Sequence, residues 1–281
     1  MKIIHTIPAL TRQLEDERKS KKTIGLVPTM GALHAGHISL VNRCVAENNV
    51  CAVSIFVNPT QFNDKNDLLK YPKTLEADCE LLKAAGCSIV FVPGLTEMYP
   101  KPDTRVFNFG ALEQVMEGAF RPGHFNGVAQ IVSKLFNIIQ PDNAYFGEKD
   151  FQQLAIIREM LKQLQLKTKI VACPIVREKD GLAMSSRNIR LSLSEREFAT
   201  KISETLFKSR SFAGKIPVDE LKKQLTESIN QVPMLRIEYF DIVDGNTLQS
   251  ISEWTESDYV VGCIAVFCGK IRLIDNIKYK G

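Results

Sequence analysis

The sequence predicts an α/β protein, with a parallel sheet covered by helices in the first 175 or so residues and a smaller α+β domain after it. Three observations predict it. Short apolar runs alternate with helix-periodic segments up to about residue 175, the pattern of repeated βαβ units. From about residue 176 the pattern changes to two helices followed by three strand-like runs, which suggests a separate antiparallel unit. Finally, 281 residues with 44% hydrophobic content suffice for a full core and for two domains, placed here at 1–175 and 176–281.

The elements follow in order. Residues 24–27 form a short apolar run that reads as a buried strand, and Ile38, Val41, Cys44 and Val45 then repeat at helical spacing. Further strands are expected at 51–57, 88–92, around 144–146, and at 170–173, with helices at 74–85, 128–139 and 151–164 between them. A parallel sheet of this kind is covered on both faces and binds ligands beyond the carboxyl ends of its strands. In the second domain, helices near 194–212 and 218–230 precede strands at 235–243, 259–267 and 270–276, with a hairpin turn at Phe267-Cys268-Gly269-Lys270.

Composition narrows the function classes. The net charge of +4 is a mild excess that suits anionic small molecules and gives no sign of a nucleic-acid partner. Only Arg18-Lys19-Ser20-Lys21-Lys22 clusters its charge, and it reads as a solvated helix end. The seven cysteines contain no Cys-x-x-Cys and are odd in number, so buried free thiols in a reducing compartment are expected. Neither a signal peptide nor a membrane-spanning apolar stretch is apparent, so the expected location is cytoplasmic, with no membrane partner. No G-x-G-x-x-G and no G-x-x-x-x-G-K-[ST] occurs, which weakens dehydrogenase and kinase readings.

The densest chemistry lies at Thr29-Met30-Gly31-Ala32-Leu33-His34-Ala35-Gly36-His37, where a strand turns into a helix. Free backbone N–H groups and the helix dipole make such a turn a site for anions. Gly31 and Gly36 let backbone approach a ligand, and two imidazoles at i and i+3 are expected on one helix face, donating to phosphate oxygens. A metal site would need a further ligand that is not nearby, and a purely structural helix cap is the other alternative.

Four further segments carry candidate residues. Gln61 follows an Asn58-Pro59 turn, and its amide can serve a substrate hydroxyl or carboxylate, or simply sit in a surface turn. Arg121 and His124, set among glycines, fit either a loop closing over an anion or a rigid connector. In Gly147-Glu148-Lys149-Asp150-Phe151-Gln152-Gln153, Lys149 offers a point charge beside a helix start. Asp150 can cap that helix, contact ribose or bind Mg2+ through water, and Gln153 lies one turn on. After a turn at Asp180-Gly181, Met184-Ser185-Ser186-Arg187-Asn188 offers two hydroxyls and a guanidinium for phosphates; a polar linker is the plainer alternative.

The glycine-spaced histidine pair resembles the His-x-Gly-His signature of the nucleotidylyltransferase superfamily. Its longer form from Val27-Pro28-Thr29 resembles the pantothenate synthetase family. Asn58-Pro59-Thr60-Gln61-Phe62, Arg121-Pro122-Gly123-His124-Phe125-Asn126-Gly127-Val128, the Lys149-Asp150 segment and Met184-Ser185-Ser186-Arg187-Asn188 resemble further motifs of that family, in the same order. Lys73 stands where an arginine is commoner and keeps the charge.

The resemblance implies a Rossmann-like nucleotide-binding domain with a C-terminal lid domain. It also implies ATP-dependent joining of (R)-pantoate to β-alanine through an acyl-adenylate, releasing AMP and pyrophosphate. His34, His37 and Lys149 would be catalytic. ATP would contact Met30, Gly31, Ala32, Leu33, His34, Ala35, Gly36, His37, Gly147, Glu148, Lys149, Asp150, Val176, Met184, Ser185, Ser186 and Arg187. Gln61 and Gln153 would bind pantoate, and Gln61 also β-alanine. Mg2+ would accompany ATP, and the protein would be a homodimer. Another nucleotidylyltransferase, moving AMP to a phosphate ester, shares the histidine pair. A nucleotide-binding regulatory protein that has lost its chemistry would not be expected to keep both histidines, Lys149, Ser185, Ser186 and Arg187.

Overall fold

Six strands, β1 (Lys2–Ile4), β2 (Ile24–Thr29), β3 (Val50–Ile55), β4 (Ile89–Phe91), β5 (Asn143–Gly147) and β6 (Lys169–Cys173), form one sheet in the order β1-β4-β3-β2-β5-β6. Every neighbouring pair is parallel. The helices in chain order are α1 (Ile7–Lys19), α2 (Ala35–Glu47), α3 (Lys65–Leu69), α4 (Leu75–Ala84), α5 (Leu95–Met98), α6 (Met116–Phe120), α7 (His124–Ile139), α8 (Phe151–Gln163), α9 (Leu193–Ser209) and α10 (Val218–Asn230). The remaining strands are β7 (Leu235–Asp244), β8 (Val260–Cys268) and β9 (Ile271–Lys280). This computed structural model describes residues 1–281. No helix in it is long and apolar enough to cross a membrane.

The chain divides into two compact units. The first comprises Met1–Phe109, Arg121–Glu148 and Ile156–Pro174, and the second Gly110–Phe120, Lys149–Ala155 and Ile175–Gly281. A single cut near residue 175 does not anticipate the two short segments that join the second unit, one of which ends inside α8.

In the first unit, Ile24, Leu26 and Val27 of β2 are fully buried, as a strand covered on both faces requires. Val27 belongs to a cluster with Val41 and Cys44 of α2, Val53 of β3, Leu82 of α4 and Tyr145 of β5. β2 pairs with β3 along its whole length, yet pairs with β5 only at Gly25 and Leu26. Thr23 and Thr29 accept from β3, whereas Ile24 accepts from Asp142 on the β5 side. By that alternation the N–H that Pro28 lacks would face the β5 side, beyond the last β2–β5 pair, so the proline breaks no ladder bond. The chain leaves β2 for β3 on one side and meets β5 on the other, and α/β sheets bind ligands at such a reversal.

Sequence periodicity does not reveal β1 and α1. β1 is a three-residue edge strand with Lys2 and Ile3 exposed, and α1 buries only Leu10 and Leu14 fully. A stripe that narrow is hard to tell from chance spacing. α7 begins at His124, four residues before its periodic run, because Gly123 turns the chain at φ +79°.

In the second unit, β7, β8 and β9 make an antiparallel sheet in that order. One cluster joins it to α9 and α10 through Ile202, Leu206, Leu221, Leu225, Ile242 and Ile264. Ser192 and Glu195 form a capping box that starts α9. A second cluster sets Met116 against Val243, Val261 and Cys263, with Phe151 packed on it. The only tryptophan, Trp254, lies against Tyr279 and donates to the Ile216 carbonyl at 2.7 Å. All seven cysteines in the protein are buried and free.

Candidate active site

The loop leaving β2 is built to present the histidine pair. Gly31 and Ala32 both adopt positive φ, +79° and +51°, which turns the chain sharply off the strand end. Such geometry is ordinary for glycine and costly for alanine. Asp78 of α4, almost fully buried, accepts from the Ala32 N–H at 2.9 Å and the Leu33 N–H at 2.8 Å. His34 then caps α2: its Nδ1 accepts from the Gly36 N–H at 3.2 Å, while His37 Nδ1 accepts from the His34 N–H at 3.3 Å. His34 has extended backbone (φ −137°, ψ 174°), so the expectation that both imidazoles share a helix face is corrected. His34 stands before the helix and His37 in its first turn. Their rings lie 4.1 Å apart, centroid to centroid. Because each Nδ1 accepts from backbone, a neutral ring carries its proton on Nε2. Both ring N–H donors thus belong to the start of α2.

Gln61 sits in the turn after β3 and is held from several sides. Asn58, almost fully buried, donates through Nδ2 to Gln61 Oε1 at 3.1 Å and to the Gly127 carbonyl at 3.1 Å. Tyr99 OH donates to Asn58 Oδ1 at 2.8 Å. Gln61 Oε1 accepts from Asn58 and its Nε2 donates one hydrogen to Met30 Sδ at 3.2 Å, so the amide has a second N–H for a ligand oxygen. His124 Nδ1 donates to the Gln61 carbonyl at 2.8 Å, and His124 Nε2 faces Arg121 Nη1 at 3.2 Å. This engagement matches the rigid-connector alternative for His124. Gly147 ends β5 and Glu148 follows it; no atom outside its chain neighbours lies within 4 Å of where a Cβ on Gly147 would stand, so backbone there can meet a ligand.

The second unit carries the remaining candidates. Lys149 and Asp150 precede α8, and Asn276 Nδ2 of β9 donates to the Lys149 carbonyl at 3.1 Å. Lys149 is half-buried, and loss of water pushes its ammonium below the usual lysine range. Asp150 opposes that shift and the positive charge of Arg187 adds to it, which places Lys149 and Arg187 within electrostatic reach of each other. Gln153 is half-buried one turn into α8, whereas its neighbour Gln152 is buried and donates to the Leu112 and Val115 carbonyls.

Val176 and Met184 face across a hairpin, with Met184 N–H donating to the Val176 carbonyl at 3.0 Å and Gly181 at φ +91° in its tip. Ser185, Ser186 and Arg187 follow as a tight turn in which Ser185 Oγ accepts from the Arg187 N–H at 3.2 Å. Asn188, mostly buried, secures that turn by donating to the Ala183 carbonyl at 3.1 Å.

Within the first unit, three groups of candidates thus lie at carboxyl ends of the central strands: residues 30–37 after β2, Gln61 after β3, and Gly147 with Glu148 at β5. Within the second, Lys149 and Arg187 lie within electrostatic reach of each other. Sequence reasoning did not single out Asp78, Asn58 or Asn188 as supports. For Asp78 a signal existed, since it is the one acid in the apolar stripe Leu75, Asp78, Cys79, Leu82. Nowhere does the chain gather three or more His, Cys, Asp or Glu that could hold a metal ion.

The family model described as pantoate-beta-alanine ligase matches residues 2–278. The chain belongs to the pantoate–β-alanine ligase family. Its relatives in that family include the pantothenate synthetase of Bacteroides thetaiotaomicron, 66% identical over 280 residues covering 100% of this chain and 99% of that one. That of Porphyromonas gingivalis is 57% identical, covering 100% of both chains. Among solved structures, a pantothenate synthetase from Thermus thermophilus superposes with a TM-score of 0.94 at 42% identity, covering both chains fully. The pantoate–β-alanine ligase from Francisella tularensis, solved with beta-gamma ATP and β-alanine, superposes with a TM-score of 0.81 at 36% identity, covering 99% of this chain and 98% of that one. The α/β sheet and the smaller C-terminal sheet are thus the architecture of pantoate–β-alanine ligases.

Proposed function

We propose that this protein condenses (R)-pantoate with β-alanine at the expense of ATP, giving pantothenate, AMP and pyrophosphate. The observation that carries the mechanism is the pair of imidazoles at a helix N-terminus whose Nδ1 atoms both accept from backbone, which sets the proton of each neutral ring on Nε2. A carboxylate cannot acylate an amine directly, because oxide would have to leave. Attack by a pantoate carboxylate oxygen on the α-phosphorus breaks its bond to the bridging oxygen and expels pyrophosphate. The β-alanine amine then attacks the acyl carbon, AMP leaves, and the amine's proton passes to solvent.

His34 and His37 stabilise the charge that grows on the α-phosphate oxygens, and Lys149 acts with them as a fixed positive charge. Ser185, Ser186 and Arg187 hold the outer phosphates, while the backbone of residues 30–37, Gly147, Glu148, Val176 and Met184 lines the nucleotide. Gln61 donates to a pantoate oxygen and contacts β-alanine, and Gln153 binds pantoate. Magnesium supplies neutralisation of phosphate charge; Asp150, beside the Lys149 cation, is the carboxylate that would hold it through water. A cytoplasmic homodimer belongs to the same proposal and rests on the family resemblance.

The test is product analysis with ATP, Mg2+, pantoate and β-alanine. AMP and pantothenate are expected, and pantoate alone should support exchange of labelled pyrophosphate into ATP. Formation of ADP and phosphate would replace the adenylate by an acyl-phosphate.

A further inference from the structure

We infer that Asp78 is a positioning residue for the adenylation step, acting through the loop that carries the histidine pair; this rests on the proposed adenylate chemistry. Asp78 lies on α4, 2% exposed, and touches neither imidazole through any hydrogen bond on its carboxylate. Its two oxygens instead take the consecutive N–H groups of Ala32 and Leu33, and Thr74 Oγ1 donates to Oδ1 at 3.1 Å.

Three features make this more than a local cap. The carboxylate comes from a helix more than forty residues downstream, so it fixes the loop to the body of the first unit. It holds the two residues directly before His34, one of which, Ala32, has a positive φ that alanine does not hold unaided. The fit is also tight: a Cβ on Gly31 would stand 3.0 Å from Asp78 Oδ2 and 3.1 Å from Ile55 Cγ2, so a side chain there would have to push the Asp78 carboxylate or Ile55 aside. Two accepting oxygens on two successive donors set both the height and the twist of the backbone entering His34. Since His34 N–H in turn donates to His37 Nδ1, the same tether fixes both rings.

An asparagine at this position keeps one acceptor and presents an NH2 to the other N–H, so the loop must shift. A misplacement of about 1 Å can cost about a hundredfold in rate. For Asp78→Asn we expect pantoate-dependent pyrophosphate exchange to fall about 10- to 100-fold in kcat.

A double-mutant cycle distinguishes positioning from general loosening. In a background with both His34→Ala and His37→Ala, Asp78→Asn should cost less than about threefold, since the two groups it positions are gone. Hydrogen exchange at the Leu33 amide, read without turnover, should quicken at least about tenfold in Asp78→Asn as its acceptor is lost. If Asp78→Asn does not fold, Asp78→Glu keeps the charge and carries the same cycle. A Leu33 hydrogen-exchange rate equal to wild type, or an equal loss with and without the two imidazoles, overturns the inference. Absence of pyrophosphate exchange in the wild type would instead remove the adenylate reading. The Leu33 amide would then still report whether Asp78 holds the loop.

Discussion

Lys149 shows how a single residue's surroundings can be read as a measurable dependence. Burial and the nearby Arg187 charge lower its proton affinity, and a bound phosphate would raise it again. ATP binding should therefore take up protons at a pH between the two values. ATP affinity should weaken as pH rises through the lowered value, by at most about tenfold per pH unit for one proton. Titration calorimetry in two buffers of different ionisation enthalpy would count the protons taken up. Lys149→Arg should abolish this uptake, because a guanidinium does not titrate in that range. An unchanged count would mean that Lys149 does not meet the nucleotide.

At the scale of elements, α7 and the turn after β3 depend on one missing side chain. A Cβ on Gly127 would stand 2.4 Å from the Thr60 carbonyl oxygen and 2.8 Å from Gln61 Cα. Helix propensity alone would favour alanine there by about 1 kcal/mol. The contact reverses that sign: Gly127→Ala should destabilise by about 1–3 kcal/mol, as overpacking does. It should also raise the pantoate KM while leaving the ATP KM near wild type, measured by thermal melts and by exchange kinetics.

The same elements show what sequence can reveal. β2, β3 and α10 announce themselves by apolar runs or helical spacing, and residues 30–37 by two histidines in a chain of four. Asn58 and Asn188 do not, because their importance is a set of buried hydrogen bonds whose partners are fixed only by folding. Asp78 is more instructive, since an acid in an apolar helical stripe was visible and only its partners were hidden. His34 shows a third kind of gap: residue spacing placed the pair correctly in the chain, but capping geometry decided that one ring stands outside the helix.

At the scale of the molecule, the second unit is not one contiguous stretch of sequence. Glu117 pairs with Arg272 through both carboxylate oxygens and accepts from Tyr239 OH at 2.9 Å. Met116 and Phe151 cover the sheet beside Val243 and Val261, and Lys149 gives its carbonyl to Asn276. A fragment of residues 175–281 lacks all four of these groups. Removing one partner of a buried ion pair alone costs about 3–5 kcal/mol, a large part of a domain's stability. The fragment should therefore fail to give a cooperative melt or a dispersed NMR spectrum, whereas the whole chain gives both. A well-folded fragment would show that the two short segments are ornaments on an independent domain.

The solitary indole of Trp254 makes the protein its own reporter. It belongs wholly to the second unit, packed on Tyr279 and tied to the Ile216 carbonyl, so its emission is blind to the first. Circular dichroism at the peptide bands, by contrast, sums over helices in both. Followed side by side in urea, the two signals separate an all-or-none collapse of the chain from a stepwise one, without a label or a substitution.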